Sequence, residues 1–162
     1  MNENKKIVVM IPCLNEQETI QSVITSFKKN LPNAVIHVFD NNSSDRTKEI
    51  VFKNNVHLHN IKYIGKGNVV RRMFADLSGD MFIMIDGDDT YDITTIKDMI
   101  SYFELNNLDM LVAKRISVDE EAYRFGHVVG NKIFSRLVKF IFGNVIDDLF
   151  SGFRIFSKRF VK

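Results

Sequence analysis

The chain of 162 residues has no tryptophan, two prolines and a single cysteine, Cys13. One cysteine cannot form an internal disulfide, so a disulfide-stapled secreted fold is excluded and a reducing compartment is expected. Cys13 is interpreted as a small buried hydrophobic residue. No apolar run is long enough to cross a bilayer. The longest early run, Ile7 to Leu14, contains a proline and lacks a small-residue cleavage site, so it is interpreted as a strand rather than a signal peptide.

The chain also lacks a strong charge of either sign, since its formal net charge is +2. Nucleic-acid binding usually requires a clustered basic face, so no nucleic-acid partner is expected. The composition, 45% hydrophobic and 26% charged, is that of an ordinary globular protein. The length suits one domain, and no linker or internal repeat divides it, so residues 1–162 are predicted to form a single domain. The expected location is the cytoplasm.

Short apolar segments alternate with amphipathic ones along the whole chain. The predicted strands are Ile7–Ile11, Val35–Phe39, Val56–Leu58, a segment from Met81, Met110–Ala113 and Ser151–Phe156. The predicted helices are one beginning at Asn15 with a capping box to Glu18, then Asp45–Lys53, Asn68–Leu77, Thr94–Leu105 and Arg124–Phe142. This alternation predicts an α/β fold in three layers, α/β/α, with a mainly parallel sheet covered on both faces.

The most informative segment is an apolar strand that ends abruptly in acid. Met81 to Ile85 is continuously apolar, and Asp86, Asp88 and Asp89 follow at once. Crowded carboxylates repel one another unless a cation neutralises them, and oxygen ligands suit Mg²⁺, Mn²⁺ or Ca²⁺. A solvated acidic turn is the alternative. A calcium-binding helix-loop-helix is rejected, because its required glycine and glutamate are absent from the corresponding positions.

Polar residues follow three of the predicted strands. In a parallel sheet, ligands bind beyond the carboxyl ends of the strands, so these residues are expected to converge on one site. They are Pro12, Asn15 and Glu16 after the first strand, Asp40 and Asn42 after the second, and Asp86 and Asp88 after the fourth.

Three weaker signals each have two interpretations. Gly65–Gly67 is either a phosphate cradle or a plain turn before a helix. His57 and His59 are either a metal-binding pair or part of an exposed edge strand, and the second is favoured. The amphipathic stretch from Asn131 to Ile146 is expected to pack on the sheet, with peripheral contact to an anionic membrane as the alternative.

Five separated blocks of sequence resemble the family 2 glycosyltransferases, especially the polyprenyl-phosphate sugar transferase branch that includes dolichol-phosphate mannose synthase. The blocks are Ile11–Glu16, similar to I-P-x-x-N-E; Phe39–Thr47, similar to V-D-(D/N)-x-S-x-D-x-T; Gly65–Asn68, similar to a G-x-G turn; Asp86–Asp88, similar to D-x-D; and Ser151–Arg154 preceded by Asp147 or Asp148, similar to D-x-x-S-G-F-R. The resemblance spans nearly the whole chain and depends on the order and spacing of the blocks.

The resemblance implies a Rossmann-like nucleotide-diphospho-sugar transferase (GT-A) fold, a UDP- or GDP-sugar donor and an inverting transfer. Asp86 and Asp88 would hold Mg²⁺ or Mn²⁺. The donor-binding residues would be Pro12, Leu14, Asn15, Glu16, Asp40, Asn42, Lys66, Gly67, Asp86, Gly87, Asp88 and Arg115. The catalytic residues would be Asp86, Asp88, Asp147, Asp148, Arg124 and Arg154.

The favoured acceptor is a polyprenyl phosphate, which is already anionic and needs little help from a base. A glycan hydroxyl would need a carboxylate to take its proton, and Asp147 or Asp148 is the candidate. Contact with the cytoplasmic face of a membrane would fit the lipid acceptor. Relatives usually continue beyond the last block, so a C-terminal truncation is expected. The alternatives are a nucleotidyltransferase of related fold and a non-catalytic nucleotide- or metal-binding module.

Overall fold

The computed structural model describes residues 5–114 and 151–162, which contain a single six-stranded sheet. Its strands are β1 (Ile7–Cys13), β2 (Val35–Asp40), β3 (His57–Asn60), β4 (Met81–Met84), β5 (Met110–Val112) and β6 (Arg154–Ser157). The order across the sheet is β3-β2-β1-β4-β6-β5. The pairs β1–β2, β1–β4 and β2–β3 are parallel. The predicted mainly parallel sheet is therefore confirmed.

Five described helices accompany the strands: α1 (Ile20–Asn30), α2 (Thr47–Lys53), α3 (Lys66–Asp76), α4 (Ile96–Leu105) and α5 (Lys158–Val161). Alternate side chains of β1 enter opposite cores, because successive residues of a strand face opposite ways. Val9 and Ile11 pack with α1, α2 and α4, whereas Val8 and Met10 pack with α3. Helices thus cover both faces of the sheet, as a three-layer α/β/α fold requires.

The predicted capping box at the start of the first helix is wrong. The helix α1 begins at Ile20, and its N-cap Thr19 makes no side-chain capping bond. Asn15 instead has a left-handed backbone with φ of 58°. Its side-chain oxygen accepts a hydrogen bond from the backbone N–H of Ser44 at 2.9 Å. Residues 14–19 therefore form a loop that is tied to the loop after β2.

The last strand is shorter than predicted and runs in the opposite direction. Ser151–Phe156 was the predicted strand, but β6 covers Arg154–Ser157 and pairs antiparallel with both β4 and β5. Of the six described strands, β6 alone runs antiparallel to the others. The preceding turn, residues 151–153, is left free to pack beside the end of β4. The predicted helix Arg124–Phe142 and the stretch Asn131–Ile146 lie outside the described residues.

Candidate functional site

A pocket of about 400 Å³ opens at the carboxyl ends of β1 and β4. It brings together seven of the predicted site residues: Pro12, Leu14, Glu16, Lys66, Asp86, Gly87 and Asp88. Gly65, from the candidate phosphate cradle, also lines it, and the remaining lining residues were not predicted: Cys13, Asn41, Ile64 and Val69. Loops after separate strands meet here because parallel strands end at the same edge of the sheet.

Asp86 is the carboxylate with the most constrained surroundings in the pocket. Its Oδ1 atom lies 2.5 Å from Nζ of Lys66, in an ion pair whose side chains are 18% and 57% exposed, respectively. On its other side lies the backbone of Gly152, where an added Cβ atom would be 2.0 Å from Oδ2 of Asp86. Lys66 comes from the start of α3 and Gly152 from the turn before β6. Three distant segments of the chain therefore meet at one carboxylate.

Tyr91 holds the turn that contains Gly152. Its buried hydroxyl oxygen accepts a hydrogen bond from the backbone N–H of Gly152 at 2.6 Å and lies 3.3 Å from Oγ of Ser151. The Tyr91 ring packs edge-on against Phe153, with ring centroids 5.5 Å apart. The guanidinium of Arg154 donates to the backbone oxygen of Ser151 at 2.9 Å. The predicted S-G-F-R block is thus a rigid turn that supports Asp86.

Asp88 lies on the same pocket wall and is partly buried. Its Oδ1 atom accepts a hydrogen bond from the hydroxyl of Thr90 at 2.7 Å. The intervening Gly87 has its carbonyl oxygen bound by the hydroxyl of Thr19 at 2.6 Å. These bonds fix the loop after β4 and keep both aspartates at the pocket.

The pKa of Glu16 is raised in the pocket, by burial and by other carboxylates that lie nearby. Burial raises the pKa of its carboxyl above the ordinary value, and the charges of Asp88, Asp86 and Asp45 raise it further. A hydrogen bond from Thr19 acts in the opposite direction. Because like charges disfavour ionisation, a cation bound at this end of the pocket would relieve the repulsion.

The carboxylate oxygens of Asp86 and Asp88 suit a divalent cation whose other coordination positions are filled by substrate oxygens. No group of three His, Cys, Asp or Glu side chains that could hold a metal ion occurs in residues 5–114 and 151–162. Mg²⁺ is commonly bound by one or two carboxylates together with substrate phosphates, rather than by an all-protein cage. The hard oxygens of Asp86 and Asp88 match that pattern.

Asp40 is close to the pocket but does not line it. Its carboxylate is fully buried, and Oδ2 accepts hydrogen bonds from the backbone N–H groups of Asn42 and Ser43 at 3.1 and 3.0 Å. Nζ of Lys48 lies 3.3 Å from the same oxygen. The carboxylate thus organises the loop after β2, and its predicted contact with the donor stays a prediction.

Asn41 is the pocket residue that sequence reasoning missed most clearly. Its side-chain amide donates to the backbone oxygens of Ile61 and Tyr63, at 3.3 and 2.9 Å, and its Oδ1 accepts from the N–H of Gly65 at 2.8 Å. Gly65 has φ of 127°, which favours glycine. Asn41 thereby holds the segment 61–65, which presents the 71%-exposed side chain of Ile64 at the pocket.

Cys13 is buried, as predicted, and forms part of the pocket wall. Burial and the nearby charge of Asp40 raise the pKa of its thiol, so it stays protonated and is a poor nucleophile. The predicted residues Asn15, Asn42 and Gly67 do not line the pocket.

Four predicted residues, Arg115, Arg124, Asp147 and Asp148, lie outside the described residues. Within the part of the chain that the structure describes, no helix is long and apolar enough to span a membrane.

The three described histidines gather at the β2–β3 edge of the sheet rather than at the pocket. Nδ1 of His37 lies 2.9 Å from Nε2 of His59, and the ring of His37 stacks on His57 with centroids 4.5 Å apart. They form no metal site that the described residues could complete. The favoured interpretation of β3 as an edge strand is confirmed.

Comparison with known proteins identifies relatives that share this sequence pattern. The family model described as Glycosyl transferase family 2 matches residues 8–162. Protein RfbJ of Shigella flexneri is 46% identical over 128 residues, which are 78% of this chain and 99% of that protein. Glycosyltransferase AglJ of Haloferax volcanii is 30% identical over 154 residues, and dolichyl-phosphate hexose transferase of the same organism is 24% identical over 152 residues.

The match to AglJ covers 94% of this chain but 50% of AglJ, and the match to the dolichyl-phosphate hexose transferase covers 94% and 66%. Among solved structures, the fold resembles glucosyl-3-phosphoglycerate synthase of Mycobacterium tuberculosis in complex with Mn²⁺, UDP-glucose and phosphoglyceric acid. The TM-score is 0.76 at 22% identity, covering 97% of this chain and 58% of that one. The similarity confirms the predicted fold, and the chain spans little more than half of that enzyme.

Proposed function

The chain belongs to glycosyl transferase family 2, and from this membership we propose that it transfers a sugar from a nucleoside-diphosphate donor with the help of a divalent metal ion. One observation carries the proposal. Asp86 and Asp88, which follow β4, line the same pocket as Glu16, in the loop after β1, and Lys66, at the start of α3. Acidic ligands for a cation and a basic group for phosphate thus lie within one cleft. That combination suits a diphosphate bound through a metal ion.

The donor diphosphate is proposed to bind at the charged end of the pocket. Asp86 and Asp88 would hold Mg²⁺ or Mn²⁺, which acts as a Lewis acid for the negative charge on the leaving diphosphate. Lys66 would add a second positive charge near the phosphates. The solved relative that contains Mn²⁺ and UDP-glucose supports this choice of ion and of donor class, with a GDP-sugar as the alternative donor.

The nucleoside is proposed to lie at the apolar end of the same pocket. Leu14 and Ile64 both line the pocket, and both side chains are exposed to water. Burial of large apolar side chains is favourable, so a ligand that covers these two would be stabilised. A planar base covered by such side chains would provide that burial. Pro12, near the end of β1, and Glu16, in the loop that follows, also line the pocket and would contact the base and ribose.

The acceptor is proposed to be a polyprenyl phosphate, and the transfer to invert the anomeric centre. The name of the related dolichyl-phosphate hexose transferase supports a lipid-phosphate acceptor. Such an acceptor would bring the protein to the cytoplasmic face of a membrane. Arg115, Arg124 and Arg154 are the proposed cationic contacts for acceptor or donor phosphates. If the acceptor is a glycan hydroxyl, Asp147 or Asp148 would take its proton.

A thermal-shift screen tests the donor proposal directly. UDP, GDP and their sugars are each added with and without Mn²⁺, because a ligand that binds the folded protein raises its apparent stability by mass action. We expect one nucleotide class to raise the melting temperature, and to do so more strongly with Mn²⁺. Release of nucleoside diphosphate from the matching donor would then separate an enzyme from a non-catalytic module.

Asp88→Asn tests the metal site in the same thermal-shift screen, and Asp89→Asn is its control. Asp89 is the next residue, is exposed and has φ of 57°, a conformation that asparagine tolerates. We expect Asp88→Asn to abolish most of the Mn²⁺-dependent shift and Asp89→Asn to preserve it. Equal responses from the two variants would mean that Asp88 does not bind the metal.

A further inference from the structure

The ammonium group of Lys66 pairs with a carboxylate oxygen of Asp86 that the proposed metal ion would bind. Its Nζ atom contacts Oδ1 of Asp86 at 2.5 Å, across the pocket from the start of α3. In this structure the ammonium is therefore the counter-ion of Asp86. A divalent cation and an ammonium cannot share one carboxylate oxygen at contact distance without strong repulsion between them.

Of the two partners in this ion pair, Lys66 is the one able to move. The Asp86 carboxylate lies against the backbone of Gly152, which leaves no room for it to swing in that direction. The Lys66 side chain is 57% exposed, and its ammonium group is carried on a flexible four-carbon stem. When a divalent ion binds Asp86, the ammonium is the group that must leave.

We propose that Lys66 is an exchangeable counter-ion, which holds Asp86 in the free protein and transfers to the donor diphosphate when the metal ion binds. This inference rests on the proposed function and assigns Lys66 a second role within it. Without a diphosphate, the metal must displace Lys66 and leave it unpaired. With a diphosphate present, Lys66 gains a new anionic partner in the same pocket. Metal and diphosphate should therefore strengthen each other's binding, and by the same factor.

Removing the ammonium should have opposite effects on the two binding steps. In Lys66→Met, Mn²⁺ alone should bind more tightly than in the wild type, by about fivefold for the loss of one partly exposed charge next to the site. The gain in Mn²⁺ affinity on adding a nucleoside diphosphate should be smaller than in the wild type. Lys62→Met is the matched control, because Lys62 is exposed on the same segment but does not line the pocket.

The experiment measures free Mn²⁺ by electron paramagnetic resonance in titrations of the wild type, Lys66→Met, Lys66→Gln and Lys62→Met. Each titration is repeated with UDP, GDP, CDP and ADP. The expected result is tighter binding of Mn²⁺ alone, and weaker nucleotide enhancement, in both Lys66 variants only.

Two results overturn the inference while leaving the proposed function standing: unchanged binding of Mn²⁺ alone in the Lys66 variants, or an equal increase in Lys62→Met. The second would show that net charge, rather than the ion pair, sets the affinity. If the wild type binds Mn²⁺ with none of the four nucleotides, the proposed function fails and the inference fails with it.

Discussion

Gly152 lies so close to Asp86 that no side chain fits between them, because a Cβ atom at position 152 would stand 2.0 Å from Oδ2. The two residues are 66 positions apart in sequence, yet the turn before β6 forms one wall of the carboxylate's surroundings. The position of this carboxylate therefore depends on a backbone that arrives much later in the chain.

Gly152→Ala should displace the Asp86 carboxylate and weaken Mn²⁺-dependent nucleotide binding by about tenfold or more, a loss of the size seen when a metal ligand loses its support. The measurement is a calorimetric titration of Mn²⁺ with the nucleotide that the thermal screen identifies. Gly79→Ala is the control, since its Cβ atom would lie 2.7 Å from Val8, far from the acidic loop. It should lower stability without changing the metal dependence. Similar metal-dependent losses in both variants would contradict the role of Gly152.

Tyr91→Phe should loosen the same turn without adding bulk. The substitution removes the acceptor of the buried Gly152 N–H, so we expect the free energy of unfolding to fall by about 1–3 kcal/mol. Urea denaturation measures this change. Tyr102→Phe is the matched control, because that side chain is 59% exposed on α4, and it should leave stability nearly unchanged. A Tyr91→Phe protein as stable as the Tyr102→Phe protein would show that the hydroxyl is dispensable.

Asp40→Ala should act mainly on stability. It leaves two backbone N–H groups without their acceptor and removes the partner of Lys48, so a loss of about 3 kcal/mol or more is expected. Urea denaturation, compared with Asp98→Ala at an exposed position of α4, measures it. Nucleotide affinity is then determined at a temperature where the variant is still folded. Unchanged affinity under those conditions would remove Asp40 from the set of predicted donor-binding residues.

The histidine cluster predicts a loss of stability in mild acid. Burial, together with His57, His59 and Lys6, lowers the pKa of His37 from 6.5 to about 4. Between these two values the unfolded chain binds a proton that the folded protein does not, so stability falls as the pH drops from about 6.5 towards 4. The neighbouring His59 also has a lowered pKa through burial, although the charge of Asp76 opposes the shift.

His37→Phe keeps an aromatic ring against His57 but removes this titration. We expect its stability, measured by urea denaturation at pH 8 and at pH 5, to fall less on acidification than that of the wild type. Parallel stability profiles for the two proteins would show that His37 is protonated as readily when folded as when unfolded.

The sequence allowed the central strands and the acidic loop to be predicted because their signals are local. Ile7–Ile11 and Met81–Ile85 are continuous apolar runs, the second of which ends directly in Asp86, and the structure places both at the centre of the sheet. Chain order and the strand-end rule then sufficed to bring Glu16 and Asp86 to one pocket.

The features that could not be predicted depend on contacts between distant residues. Asn15 matches a helix-capping pattern, but its side chain accepts a hydrogen bond from Ser44, 29 residues away. This contact between two loops replaces the local capping bond. Asn41 reaches segment 61–65 through hydrogen bonds that span 20 to 24 residues. The direction of β6 carries no local signal either, since the four residues Arg154–Ser157 could pair in a parallel or an antiparallel ladder.

The reversed strand β6 has a consequence for how the protein matures during synthesis. It fills the gap between β4 and β5, so the edges of those two strands that face it stay unpaired until residues 154–157 have left the ribosome. Open strand edges recruit other chains. Nascent chains in which Arg154 has not yet emerged should therefore be prone to aggregate. When the chain is arrested behind C-terminal linkers of increasing length, chaperone binding should drop sharply once that strand emerges.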